Sequence, residues 1–596
     1  MCNQSADEVR ARRGEGGKMR LFAIIGFFFI LIAFVSSPAT ASIYYVSPSN
    51  CVPAGAVYPV FNCTAGFPPG NDIMGIGTAQ RPYASPQQAI NRAVNPGDIV
   101  VILSGLYTGQ GSAPTMVLTH SGSGPGNVAG GSCTRPITIE GYSQNATKPI
   151  IFGNPGAVGA GALYASNVSC IVVSNLEIEG WNFLLTWPDA IRNAVSSTWQ
   201  NNLYNDYGLF FGGTASAYVH HIILSNLYVH DFPGGGIGFV YGDYLSIVQS
   251  VVSNNAQYGP FQGSGISLDD DVNSDGTSST HDVISGNLIS GNVNLVPSRT
   301  APGNLVQTPV VSAMTNPQSG IFEIEVGTTA VFDYTQLVMD VPKGCIPPGT
   351  TFGYAVNGGI GRQLITISQP PTPGCTIDNT ETLYAGFASD GEGIIIDNTG
   401  NVHIGGARGS VALPRTLIIN NVTVNNGGPG IQCSPQSANC NIIYNTSYMD
   451  TSGAYNLGSS EAPGGINAWG ATGTNIFNNI IVSGPGVPTV WDKSPPGGVV
   501  WSNNLFFGGV SSSDPIYHPI PGSNNVVGQD PLFVAPTVSP SPQGFPSATM
   551  FQLGAGSPAI GAGNPLFTRT SDFTGTSIPA GTTPDIGAYQ SVPQTR

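Results

Sequence analysis

At 596 residues the chain is longer than one ordinary compact core supports, and 80 Gly, 48 Pro and only 9% charged residues give it the composition of a turn-rich all-β protein. Its 41% hydrophobic content is too high for a disordered chain. The net charge of −15 argues against nucleic acid as a partner.

Residues 1–41 read as a signal peptide. Arg10, Arg12, Arg13, Lys18 and Arg20 make a basic region, residues 21–35 an apolar run, and Ala39-Thr40-Ala41 a small-x-small cleavage site. The apolar run is short for a membrane span and none follows it, so no membrane contact beyond export is expected. The location expected is secreted or cell-surface. Losing five basic and three acidic residues with the leader takes the net charge to −17. An acidic polysaccharide would then need a cation or an Arg cluster to bind. Eight cysteines remain, in near pairs Cys51/Cys63, Cys133/Cys170, Cys345/Cys375 and Cys433/Cys440. In an exported chain an even count reads as disulfides, and loop-local closure favours sequential pairing. Asn62, Asn145, Asn167, Asn421 and Asn445 lie in N-x-S/T sequons.

Residues 42–109 are the entry: a tyrosine strand, a helix over ASPQQAINRAVNPGD with Ser85 as N-cap and Pro86 at N1, then an apolar strand. Ile90 and Ala93 share one helix face and would plug the open end of a solenoid. The phrase PYASPQQAINRAVNPGDIVVILSGLYTG resembles the N-terminal cap of pectate-lyase-like right-handed parallel β-helix proteins. That resemblance implies the fold and says little of activity.

Coils are expected over residues 110–296 and 387–510. Between residues 234 and 470, Gly-Ile pairs recur at Gly236, Gly265, Gly393, Gly430 and Gly465. Interleaved with them, Asn175, Asn226, Asn287, Asn421, Asn445, Asn479 and Asn504 sit in or beside short apolar runs, where they would stack inside a turn. Residues 297–386 break the rhythm and read as a β-rich insertion. Residues 511–596 resemble the closing segment of extracellular β-helix proteins, with Gly561 and Gln590 where acids are usual.

Aligning the Gly-Ile pairs rung on rung turns Ile266, Leu268, Ile394 and Ile396 inward. Ser267 then faces outward, and Val240, Asp269, Asp397, Ser434 and Trp469 form a second outward column. Asp269 and Asp397 become neighbours about 4.8 Å apart. Such a pair needs a shared cation or proton, and it also suits a retaining glycosidase. Asp269, Asp270, Asp271, Asp390 and Asp397 supply oxygen ligands for Ca²⁺. The loops leaving the two rungs carry His281 on one side and His403, Arg408 and Arg415 on the other, all catalytic candidates. Ser267, Ser434 and Trp469 are the substrate-binding candidates, Trp469 by stacking a sugar ring. Calcium-dependent pectate lyases of this fold place a Lys after such rungs, but Lys148, Lys343 and Lys493 all lie elsewhere, and the polygalacturonase motifs NTD, GHG and RIK are absent.

The expectation is a secreted, carbohydrate-active right-handed parallel β-helix that cleaves a polysaccharide by lyase or hydrolase chemistry. The alternative is a non-catalytic glycan-binding, adhesive or structural surface protein, monomeric or trimeric.

Overall fold

The computed structural model describes residues 41–50 and 64–591 apart from short internal stretches, the longest being 398–414. The leader, Cys51, Cys63, Asn62, Asn145, Asp390, His403 and Arg408 lie outside the described residues. Among the described residues no helix is long and apolar enough to cross a membrane.

Three parallel sheets, two of 11 strands and one of 9, run along the chain. Each coil gives one strand to each sheet. One coil is Val219–Ser225, Tyr228–His230 and Gly235–Val240; the next is Gly242–Val248, Val251–Ser253 and Ile266–Asp269. Each strand pairs in parallel with its counterpart one coil on. The chain is a right-handed parallel β-helix. We call the sheets first, second and third in that order.

At the entry, Ile43–Val46 pairs with Ile99–Ile102. Buried Asp98 ties the two ends together by accepting from the N–H groups of Ser42 and Asn95. The helix is shorter than the pattern suggests, Pro86–Ile90, with the Ser85 hydroxyl accepting from Gln88 N–H. Ala89, Ile90 and Ala93 all enter the core. Gln87 completes the cap: its amide donates to Val117 C=O and accepts from Val117 N–H, so a side chain pairs the edge strand of the third sheet.

Two interior ladders hold the coils in register. In the turn from first to second sheet, Asn287, Asn421, Asn445, Asn479 and Asn504 are fully buried, and the side-chain oxygen of each accepts from the backbone and amide N–H of the Asn one coil before it, the first bonding the Ser250 backbone. Asn175 and Asn226 are not part of this ladder. They occupy the preceding position, where φ is positive, and bond each other outside it. A second ladder, Asn255–Asn292–Asn426–Asp450, fills the turn from second to third sheet. Asn421 and Asn445 are fully buried, so their sequons cannot carry glycans in the folded chain, whereas Asn167 is exposed.

Among the described residues three cysteine pairs are bonded: Cys133–Cys170, Cys345–Cys375 and Cys433–Cys440. Between Val306 and Ala385 six strands form an antiparallel sheet of their own. The C-terminal segment lies along the outer face of the second sheet. Phe551, Phe573 and Tyr589 cover Val251, Leu288 and Val422, and Ala559 and Ile586 cover Ile480 and Leu505.

Candidate functional site

The third sheet carries the Gly-Ile strands. Ile237, Ile266, Ile394, Ile431 and Ile466 follow one another in register, all essentially fully buried. Burying each such side chain contributes about 1.5–3 kcal/mol. Because a strand alternates sides, this inward column dictates what faces out.

Asp269 and Asp397 end their strands directly opposite each other. Both are half-buried. Two ionised carboxylates one rung apart repel by about 3 kcal/mol at an effective dielectric of about 20. Asp397 has local help, since the Ser434 hydroxyl donates to its Oδ1. Ser434 is held in place by its own N–H on Ile396 C=O, by the Ser437 hydroxyl on the same carbonyl, and by the Cys433–Cys440 disulfide around it. The column continues to Trp469, whose N–H donates to Cys433 C=O and which is half-buried. Ser267 faces outward beside Ile395.

After Asp269 the chain turns at Asp270, which has φ +56°. Asp270 first, then burial and Asp269, push the half-buried Tyr241 phenol above its ordinary pKa. The turn sends Asp271 inward rather than outward. Asp271 is 2% exposed and neither carboxylate oxygen has a hydrogen-bond partner. The Gly242 N–H favours its charged form but does not form a proper hydrogen bond. Burial, then Asp282 and Asp243, hold its pKa well above the carboxylate range. Burial and Asp243 likewise push Asp282 up to about 7; its Oδ1 accepts from Leu245 N–H and its Oδ2 is unpartnered.

His281 is buried here too, not exposed on a loop. The pairing of Thr280 with Arg415 and of Asp282 with Thr416 leaves His281 as an extra residue, and this bulge turns its side chain inward. Its Nδ1 lies 2.6 Å from Asp243 Oδ1, its Nε2 meets the Thr277 hydroxyl, and its ring stacks on Tyr244 at 4.1 Å. Tyr244 donates to Asp275, and burial is the first cause of its pKa of about 12. Arg415 stands one rung on, half-buried, with Nη1 donating to Asn441.

Asp269, Asp270, Asp397, Ser267, Ser434 and Trp469 are therefore gathered on the third sheet and its edge, while Asp271 and His281 sit beneath the corner. Asp243 and Asp282 escaped the sequence reading, although aligning the rungs of the first sheet would have placed both beside His281. Among the described residues no three His, Cys, Asp or Glu side chains converge in a metal-binding arrangement. The oxygens best suited to a hard cation are the three buried, unpartnered ones of Asp271 and Asp282. Without a cation, that cluster must hold protons instead.

No protein-family model and no curated protein matches the chain. Several solved structures are similar to it. A pectate lyase is 13% identical, with 93% of this chain and 97% of that chain covered and a TM-score of 0.43. A rhamnogalacturonan lyase is 11% identical, with 86% and 97% covered and a TM-score of 0.37. A lacto-N-biosidase from Eubacterium ramulus is 13% identical, with 78% and 56% covered and a TM-score of 0.33.

Proposed function

We propose that the protein is an exported carbohydrate-active enzyme that hydrolyses glycosidic bonds of a polysaccharide at the Asp269–Asp397 pair. The register of those two residues on adjacent rungs carries the reading. A separation near the rung spacing of about 4.8 Å suits a retaining mechanism, in which the carboxyls stand about 5–5.5 Å apart.

The surroundings divide the labour. The Ser434 hydroxyl stabilises a charged Asp397, which serves as nucleophile. Asp269, beside Asp270 and opposite a charged Asp397, is the member of the pair that carries the proton, so it serves as acid and then base. Asp269 gives its proton to the departing glycosidic oxygen as the Asp397 carboxylate bonds the anomeric carbon. Asp269 then takes a proton from water, and the resulting hydroxide displaces Asp397, restoring both groups. Ser267 contacts the sugar beside Asp269. Calcium would be held by Asp271 and Asp282, where it would supply positive charge beneath the pair. His281 supports this corner from below through Asp243. Arg415 completes the wall of the groove.

Hydrolysis suits the site better than elimination with a lysine base. Lys148 is tied to Asn226 on another corner, and Lys493 lies over Trp491 at the far end of the sheet. Disulfides accord with export. The test is a polysaccharide panel read for new reducing ends and for ultraviolet absorbance. Reducing ends without absorbance support hydrolysis, and absorbance indicates elimination. Retention on a polymer with neither signal leaves a glycan-binding surface protein.

A further inference from the structure

The outward face of the third sheet carries a second feature, on the side of the carboxylate pair away from Trp469. Phe210 is in register with Tyr164 one rung before it and with Gly238 one rung after it. Gly238 is in turn in register with Ser267, so Phe210 lies two rungs from the rung of Asp269. Trp469 lies two rungs from Asp397 in the other direction. The carboxylate pair therefore has an aromatic side chain about 10 Å away on each side along the helix axis.

The Phe210 ring lies between Gly212 and Gly238. A Cβ on Gly212 would stand 3.1 Å from its Cε1, and one on Gly238 would stand 3.1 Å from its Cδ2. The ring thus occupies the space that side chains at those two outward positions would fill. The Tyr164 ring is parallel to it within 1° at 6.3 Å, and Tyr207 packs against its edge at 5.9 Å. Phe210 and Tyr164 are both half-buried, and opposite edges of the Phe210 ring border Gly212 and Gly238.

We propose that Phe210 and Tyr164 form a sugar-stacking platform. It holds an extended neutral polysaccharide along the helix axis up to the carboxylate pair, beyond which Gln432, Ser434 and Asn467 are buried. The position of the cut rests on the function proposed above; the binding does not. Flat aromatic rings suit sugar units whose C–H bonds cluster on one ring face. Asp269, Asp270 and Asp397 beside the path, and a chain of net charge −15, oppose a polyuronate. Tyr164 to the rung of Asp269 spans three rung spacings, about 14 Å, so a bound chain reaches from the platform to the carboxylates only if it is more than one sugar long.

Affinity electrophoresis tests this with the Asp397→Asn protein, which would leave the polymer uncut, in gels containing xylan, glucomannan, mixed-linkage β-glucan or polygalacturonate. At least one neutral polymer should retard the protein. Phe210→Ala should weaken that retardation about tenfold, Phe210→Trp should preserve it, and Gly238→Val, which lifts the ring while keeping it, should weaken it as alanine does. Thermal melting of each variant separates lost binding from lost folding. Retardation by polygalacturonate alone, by no polymer, or to the same degree in folded Phe210→Ala overturns the platform. Cleavage by wild type with binding unchanged in Phe210→Ala removes the platform and leaves the carboxylate pair standing. Phe210-dependent binding without cleavage does the reverse.

Discussion

Gly265 lies directly over the side chain of Asn292. A Cβ there would stand 2.8 Å from Asn292 Nδ2 and 2.7 Å from Gly393 C=O. The same crowding recurs at Gly393 against Asn426 and at Gly430 against Asp450. From Gly236 to Gly430 the Gly of the Gly-Ile pair is thus the residue that lets the second ladder pass beneath the third sheet, whereas a Cβ on Gly465 would meet Ile481 and Ser447. Gly265→Ala should destabilise the fold by about 2–3 kcal/mol in chemical denaturation. Gly561→Ala, at φ +65° with open space around it, should cost only about 1 kcal/mol. Equal losses would separate the Gly-Ile period from the ladder.

Asp450 ends that ladder as a buried acid. It accepts from Thr423, Asn426 and Ser447, yet burial still lifts its pKa to about 6. A folded pKa above the unfolded one means that the folded state holds the proton more tightly. The charge therefore costs stability above about pH 6, and the cost fades as pH falls through that value toward the unfolded pKa of about 4. Asp450→Asn keeps the shape and removes the charge. It should stabilise the protein by about 2 kcal/mol near pH 8 and by much less near pH 5. A loss of stability near pH 8 would show that these donors outweigh burial.

His230 gives a slope of the same sign in a higher pH window. Burial alone would lower its pKa, but hydrogen bonds to Asp231 and Glu177 outweigh burial and raise it to about 9. Its stabilisation is complete below its unfolded pKa of about 6.5, declines above that, and is gone once pH passes the folded pKa of about 9. Because both carboxylates are partly exposed, the effect should be about 1–2 kcal/mol. Denaturation midpoints should fall between about pH 7 and pH 10 in wild type and much less in His230→Gln. Parallel slopes would remove His230 as the source.

The Asp271–Asp282 pair is where removing a metal should register. If a cation neutralises the three unpartnered oxygens, chelation should lower the melting temperature, and added calcium should restore it. Asp271→Asn should abolish the response. A melting temperature indifferent to chelator and calcium would mean that the cluster is held together by protons.

Much of this arrangement was legible before any coordinates. The two-residue alternation of a strand, applied to GSGISLDDD and DGEGIIIDN, is enough to put Asp269 opposite Asp397. What it missed has physical causes. Asn175 and Asn226 look like ladder residues, but the ladder position is the one after the left-handed residue, and backbone angles are not written in composition. Asn255, Asn292 and Asn426 went unread because they follow the short strands of the second sheet, where too few residues show a period. His281 looks like a loop residue because nothing in HDVISGN announces a bulge. Asp271 continues the acidic run of Asp269 and Asp270, and only the positive φ at Asp270 turns it inward.

The most direct test is reducing-end release from a polysaccharide panel by wild type, Asp269→Asn and Asp397→Asn, with melting temperatures measured alongside. The proposed chemistry predicts release without ultraviolet absorbance in wild type, and rates at least about a hundredfold lower in both variants at near-normal stability. Release at the wild-type rate by either folded variant would contradict it.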